Sequence, residues 1–284
     1  MVPIDMRYFD AHTHVNFVAF KDDAEATIAR AREAGVGMNI VGTQIETSRA
    51  AVEMAEKYDD VYATIGLHPI HTGKSYHDEK ELGEGGKAFT SRGEFFDAAA
   101  YEKLAESPKV IAIGECGLDY YRLEEHTKKT QEGAFITQIE LANRLQKPLM
   151  LHIRPALQSL GGGGNAYDDA LAILKSHAKV KGDVHFFAGS WDIAKKFLDF
   201  GFTLSFTGVL TFARDYDEVV KNAPLDMLLS ETDAPYVSPI PYRGKRNEPK
   251  HTVEVVKALA TIRGESLPKV SEQLIANVQR IFHI

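Results

Sequence analysis

Five short segments of this chain each close an apolar, strand-like run with a side chain that can bind a metal ion. They are Asp10-Ala-His12-Thr-His14, Gly114-Glu115-Cys116-Gly117-Leu118-Asp119, Leu151-His152-Ile153-Arg154, Val184-His185-Phe186-Phe187 and Ser230-Glu231-Thr232-Asp233. One histidine after an apolar run is common in a protein core. Five such endings call for a shared site. Paired imidazoles, lone imidazoles and carboxylates are together the donor set of a hydrolase that works with two divalent ions. In an extended strand, residues two apart share a face, so His12 and His14 point the same way, and Asp10 with them. Two imidazoles at that spacing can grip one ion. Glu115 offers two carboxylate oxygens and so can bridge two ions ~3.5–4 Å apart. His152 and His185 would each give a neutral imidazole to the second. Asp233 ends the last strand, which lies beside the first in a closed barrel. It can therefore complete the His12/His14 ion and take the proton of the attacking water as a general base. Glu231, two residues earlier on the same face, is expected either to support a ligand or to face substrate. His68, in Gly66-Leu-His68-Pro69, is placed to touch substrate or a metal-held water.

Those residues need a frame. Apolar runs recur at Arg7 to His12, Met38 to Thr43, Val61 to Leu67, Val110 to Gly114, Pro148 to His152, Asp183 to Phe187, Phe202 to Phe206 and Met227 to Ser230. Amphipathic stretches separate them, for example Asp22 to Ala34, Glu46 to Lys57, Lys129 to Leu145 and Trp191 to Phe200. Thr252 to Ile262 and Lys269 to Ile281 read as two closing helices. Alternation of strand and helix means a parallel sheet. Eight units, with chemistry at the carboxyl ends of several different strands, favour a closed (β/α)8 TIM barrel over an open sheet with one switch point. The expectation is α/β, with residues 1–284 forming a single barrel domain and the metal site at the C-terminal face of its strands. The polar, glycine-rich stretch from His71 to Gly93 reads as a long loop after the third strand. Gly161 to Gly164 reads as a second loop. It is not a P-loop, because no Gly-Lys-Ser/Thr follows it.

Composition narrows the function. The chain has 284 residues, a net charge of −7 and 44% hydrophobic content, enough for one barrel of about 250 residues. An acidic chain does not wrap duplex nucleic acid by charge alone. One cysteine, Cys116, excludes an internal disulfide and suits a reducing cytosol. The start, Met1-Val-Pro-Ile-Asp5, lacks a basic and an apolar signal region, and no apolar run approaches the ~20 residues of a membrane span. The expected location is cytoplasmic, with no membrane and no protein partner deducible.

The motifs DAHTH, GLHP, GECGLDYY, PLMLHIR, VHFFAG, LSFTG and ETDAPY with PYRGKRNEP run in order from residue 10 to 249. Together they resemble the TatD family of metal-dependent DNases. The resemblance implies a (β/α)8 fold, two divalent ions (Mg, Mn or Zn) and phosphodiester hydrolysis. By its motifs, His12, His14, Glu115 and Asp233 match the ligands of one ion, and Glu115, His152 and His185 those of the other. Two departures stand out. His185-Phe-Phe-Ala-Gly189 replaces a stretch that usually carries Cys, Phe and Ser/Thr after the histidine, and the loop from His71 is long. Asp233 and Glu115 are then the catalytic pair.

Arg154, two residues past His152, and Arg243, which clusters with Lys245 and Arg246, are expected to hold phosphate. Tyr120, Tyr121 and Tyr236 could stack on bases, but packing is the better explanation of them. The expected substrate is DNA or a short oligonucleotide, cleaved from a strand end as by a 3′-to-5′ exodeoxyribonuclease on single-stranded or frayed DNA. The rivals are a barrel hydrolase of an amide, lactone or other ester and a binding protein without catalysis. Glu115, where many such barrels carry a modified lysine, favours the nuclease.

Overall fold

The computed structural model describes residues 5–73, 76, 77, 89, 90, 93–121, 125–156 and 165–284. Most of the loop read from His71 to Gly93, and the loop at Gly161 to Gly164, lie outside them.

Eight parallel strands form the barrel: β1 (Tyr8–Thr13), β2 (Val36–Val41), β3 (Val61–Ile65), β4 (Val110–Asp119), β5 (Leu149–Arg154), β6 (Gly182–Val184), β7 (Thr203–Phe206) and β8 (Leu228–Ser230). Each pairs with the next in chain order. A bridge between Thr13 and Ala234 brings the last strand back to the first. The helices between them include α1 (Ala24–Glu33), α2 (Ile45–Ala55), α3 (Ala98–Leu104), α4 (Glu125–Leu145), α5 (Ala166–His177), α6 (Trp191–Phe200) and α7 (Asp217–Asn222). Two more, α8 (Thr252–Arg263) and α9 (Leu267–Phe282), follow β8.

Helices on the outer face and packed side chains within bury both faces of the strands. This is why β2 reads Val-Gly-Met-Asn-Ile-Val and is buried throughout. The outer layer packs residues such as Val61, Ala63 and Ile65 against the helices. A second cluster joins Phe9, Met150 and Leu229 of the strands to Val278, Ile281 and Phe282 of α9. It lies toward the strand starts, so α9 gives the site an apolar floor.

Two expectations about register needed correction. The fourth strand does not end at Gly114. It runs on to Asp119, because β5 stays paired with it as far as the Asp119–Arg154 pair, across a one-residue register shift between Gly114 and Cys116. The strict two-residue alternation also fails in β1, where a bulge lies between Asp10 and Thr13. Asp10 therefore does not join the imidazoles. Its carboxylate accepts from the Thr232 N–H (2.8 Å) and hydroxyl (2.5 Å), tying the stretch just past β8 to β1.

The basic loop after β8 is largely structural. The Arg246 guanidinium grips Asp23 through two bonds of 2.8 and 2.7 Å and lies 4.3 Å from the Phe20 ring centroid. Arg30 pairs with Glu248. The Asn247 side-chain amide donates to the carbonyls of Thr232 (3.0 Å) and Tyr236 (2.7 Å), which pins the loop's turn. The Arg246 hydrogen bond outweighs partial burial and holds Asp23 at about 2, against an ordinary 3.8. A depressed carboxylate stabilises the fold above its unfolded value, and that contribution drains away as pH falls toward the folded one. The urea midpoint of the unsubstituted protein should therefore fall more steeply from pH 4 toward 2 than that of Asp23→Asn. Equal slopes would mean that the pair adds nothing to stability.

Candidate metal centre

The site gathers where the strands end, and one carboxylate organises it. Glu115 is buried, and its two oxygens face different neighbours. Oε2 lies 3.5 Å from His12 Nε2 and 3.7 Å from His14 Nε2. Oε1 lies 2.9 Å from His152 Nδ1, 3.4 Å from His185 Nε2 and 3.3 Å from His68 Nε2. Asp233 Oδ1 closes the first side, 3.4 Å from His14 Nε2 and 3.9 Å from His12 Nε2. Backbone geometry aims these groups. Asp233 and Phe186 both adopt positive φ, so each chain turns sharply once its strand has ended.

The donors suit a divalent ion. His12 and His14 bring their Nε2 atoms within 3.1 Å of each other. His14 Nδ1 lies 3.0 Å from the Val41 carbonyl, which only accepts, so this nitrogen carries the proton and Nε2 turns a lone pair inward. His185 Nδ1 is held at 3.0 Å by Glu231 Oε1, again leaving Nε2 inward. His152 is held at Nε2 by Asp119 Oδ2 (2.8 Å), leaving Nδ1 toward Glu115. An acceptor behind these three rings is how proteins orient histidine ligands; the buried His12 Nδ1 has no such partner among the described residues. Three sets bring one ligand atom from each residue within 4.8 Å: His12, His14 and Glu115; His12, His185 and Asp233; and His68, Glu115 and His152.

The carboxylates agree with this, and against burial they lift two of the imidazoles they face: Glu231 and Glu115 hold His185 well above its ordinary value, and Asp119 and Glu115 raise His152. Burial alone would raise Glu115, yet the imidazoles of His68, His12 and His185 hold it well below the usual carboxylate range. Burial also opposes ionisation of Asp119, but the His152 hydrogen bond, with Arg154 beyond it, brings it to about 2. Asp233 is lowered against burial by its hydrogen bond to His14. All three are therefore anionic at neutral pH, as metal ligation and support require. Burial pushes His12 down and brings His68 to about 4.

Around this centre lies a cleft of about 440 Å³. Phe17, Ile70, Ile153, Phe186, Tyr236 and Val237 make its walls apolar. Arg154 also lines it, its guanidinium 3.8 Å from the centroid of the Tyr121 ring. The structure brings His12, His14, His68, Glu115, His152, Arg154, His185 and Asp233 together, as the sequence suggested. Of the other expected substrate contacts, Glu231 takes its alternative role as a support for a ligand, and Arg243 is placed elsewhere. Glu231 is fully buried and accepts from His185, the Phe186 N–H (2.8 Å) and Ser205 (2.7 Å). It supports His185 and does not face the cleft. β8 has already ended at Ser230, so Glu231 and Asp233 do not share a strand face. Arg243 is not among the residues lining the cleft. It stacks 4.2 Å from the Phe212 ring centroid and donates to the Ser238 carbonyl. Tyr120 is buried and bonded to Asp169, as packing alone would have it.

Sequence reasoning missed Asp119, Phe17 and Phe186. Asp119 stands four residues after Glu115 in the same motif, but ending the strand at Gly114 hid it. The aromatic walls carry no ligand-type side chain, and nothing in their spacing marks them.

The family model described as TatD related DNase matches residues 9–283. The 3'-5' ssDNA/RNA exonuclease TatD of Klebsiella pneumoniae (strain 342) is 35% identical, over 97% of this chain and 98% of that one. The metal-dependent hydrolase YabD of Bacillus subtilis (strain 168) is also 35% identical, over 97% of this chain and 99% of that one. Among solved structures, the TatD homologue YjjV of Escherichia coli K12 superposes with a TM-score of 0.80 at 28% identity, covering 99% of this chain and 100% of that one.

Proposed function

Because the chain belongs to the TatD-related DNase family of metal-dependent hydrolases, we propose that it hydrolyses phosphodiesters with two divalent ions, as a 3′-to-5′ exodeoxyribonuclease on single-stranded or frayed ends. The observation that carries this reading is the split of Glu115, with one oxygen toward His12 and His14 and the other toward His152 and His185. In it, His12, His14, Asp233 and Glu115 would hold one ion, and Glu115, His152 and His185 would hold the other. When bound, such ions supply a nucleophilic water and neutralise the phosphoryl oxygens. Asp233, which lines the cleft, takes the attacking proton. Cys116 is no nucleophile, since burial raises its thiol pKa and its side chain packs against the Met150 carbonyl.

The cleft argues for a strand end. Arg154 is the one lysine or arginine lining it among the described residues. That charge is too little to track a duplex backbone. Flat aromatic walls stack on bases without reading their edges. Ala188 and Phe186 occupy positions where the family pattern carries polar or smaller residues, and both face the cleft, which makes the wall more apolar. The Klebsiella relative's name, a 3'-5' ssDNA/RNA exonuclease, supports the same class. The setting proposed is the cytoplasm, with residues 1–284 acting as one domain.

The test is hydrolysis of an end-labelled single-stranded DNA oligonucleotide by metal-stripped protein, with Mg, Mn or Zn restored singly. Stepwise, metal-dependent shortening from the 3′ end is the expected result. Internal cuts, or no cleavage with any ion, would overturn the reading.

Asp119 enters this scheme as the group that orients His152. Asp119→Asn should weaken ion binding by about 10–100-fold, as loss of such supports does elsewhere. Competition with a chelating dye measures it. An affinity within twofold of the unsubstituted protein would remove Asp119 from the site.

A further inference from the structure

His68 differs from the imidazoles around it in what it presents to the cleft. Its Nδ1 accepts the backbone N–H of Ile70 at 3.1 Å and so caps the turn Pro69–His71. An amide N–H only donates, so Nδ1 must carry the lone pair. With Nδ1 occupied as an acceptor, the ring's single proton sits on Nε2. Nε2 is the atom aimed inward, 3.3 Å from Glu115 Oε1. His14 and His185 are held the opposite way. Acceptors take their outer protons, so their inner nitrogens are the ones that can turn a lone pair to an ion. The site thus mixes inward lone pairs with one inward N–H.

This distinction decides between two roles. His68, Glu115 and His152 lie close enough to share an ion, but a protonated nitrogen is not a ligand. Turning the ring over would point a proton at the Ile70 N–H. The ring is further confined by His152, with centroids 4.1 Å apart, and it lines the cleft beside Glu115 and Arg154.

We propose that His68 is a catalytic hydrogen-bond donor and not a metal ligand: its Nε2–H binds a non-bridging phosphoryl oxygen of the substrate, on which charge grows as the phosphodiester is attacked. The assignment rests on the phosphodiesterase reading above. A neutral imidazole suits the task, because it donates to a growing oxyanion without giving its proton away.

Two substitutions separate the roles. In His68→Asn the short amide oxygen can still cap the Ile70 N–H, since Asn is a favoured cap residue, but its N–H does not reach the site. In His68→Gln the longer amide places an N–H nearer to where Nε2 stood. Three quantities are read on each protein: metal content after Mn loading and gel filtration, affinity of the loaded protein for inorganic phosphate by calorimetry, and kcat and KM on a labelled single-stranded oligonucleotide. The expected result is unchanged metal content in both variants. His68→Asn should bind phosphate about 10-fold more weakly, the loss of one charge-assisted hydrogen bond. Its kcat should fall about 10²-fold, with KM little changed. His68→Gln should recover part of both losses.

A drop in metal content in His68→Asn would make His68 a ligand and overturn the proposal. So would phosphate affinity and kcat equal to those of the unsubstituted protein. If the unsubstituted protein cleaves no oligonucleotide with any ion, the phosphodiesterase reading fails. The metal and phosphate measurements then still decide whether His68 is ligand, donor or neither.

Discussion

The Glu115→Gln protein is expected to fold and to lose metal-dependent hydrolysis by on the order of 10³-fold or more. The substitution keeps the shape of the side chain and removes its charge. In the unsubstituted protein that charge faces five imidazoles, with His12 and His14 on one oxygen and His152, His185 and His68 on the other. An amide can offer one weak oxygen ligand and must turn its NH2 toward the opposite set, where lone pairs are needed. One group of imidazoles is therefore left with only a neutral oxygen and the other with an N–H, whichever way the amide is turned. Thermal melts test this without an activity assay. An ion that binds only the folded state stabilises it by about 2.7 kcal/mol at a hundred times its dissociation constant. Mn should raise the melting temperature of the unsubstituted protein and leave that of Glu115→Gln nearly unmoved. A variant that melts with the same metal-dependent shift, or turns over at full rate, would show that the two-sided carboxylate does not hold the ions.

The barrel was readable from the chain because its strands are apolar on both faces and its helices on one, so the change of period marks nearly every element. The ligands were readable because each follows such a run directly. What escaped was local backbone behaviour. Alternation predicted Asp10 beside His12, and a bulge in β1 sends it to Thr232 instead. Alternation also put Glu231 beside Asp233. The strand stops at Ser230, and positive φ at Asp233 turns that side chain toward the imidazoles while Glu231 stays beneath His185. The basic residues after β8 misled in another way. Charge in a sequence carries no address, and Arg246 is committed to Asp23 on α1's approach. Sequence distance hides such pairings. The 3.6 and 2.0 periods of helix and strand do not.

The glycines around Glu115 show how closely the site depends on bare backbone, and Gly117→Ala is expected to cost on the order of 3–5 kcal/mol of stability, from backbone strain together with overpacking. Gly117 has φ +142°, and a Cβ there would come within 2.1 Å of the His152 carbonyl oxygen. Gly114, at φ +151°, would meet the Met150 carbonyl oxygen at 2.3 Å. Both obstacles are backbone atoms of β5, which cannot swing aside as a side chain does. Relief has to come from β4 and β5 moving apart, and β5 carries His152. The Ala variant should therefore lose hydrolysis even at temperatures where it stays folded, because His152 leaves its place opposite Glu115 Oε1. Gly133→Ala is the control. Gly133 lies within α4, a Cβ there meets nothing within 4 Å, and replacing a helical glycine should add roughly 0.5–1 kcal/mol. Urea unfolding and low-temperature turnover of the two variants compare the effects directly. If Gly117→Ala matches Gly133→Ala in both, the strands have slack that this geometry denies, and glycine at 117 serves no purpose in placing His152.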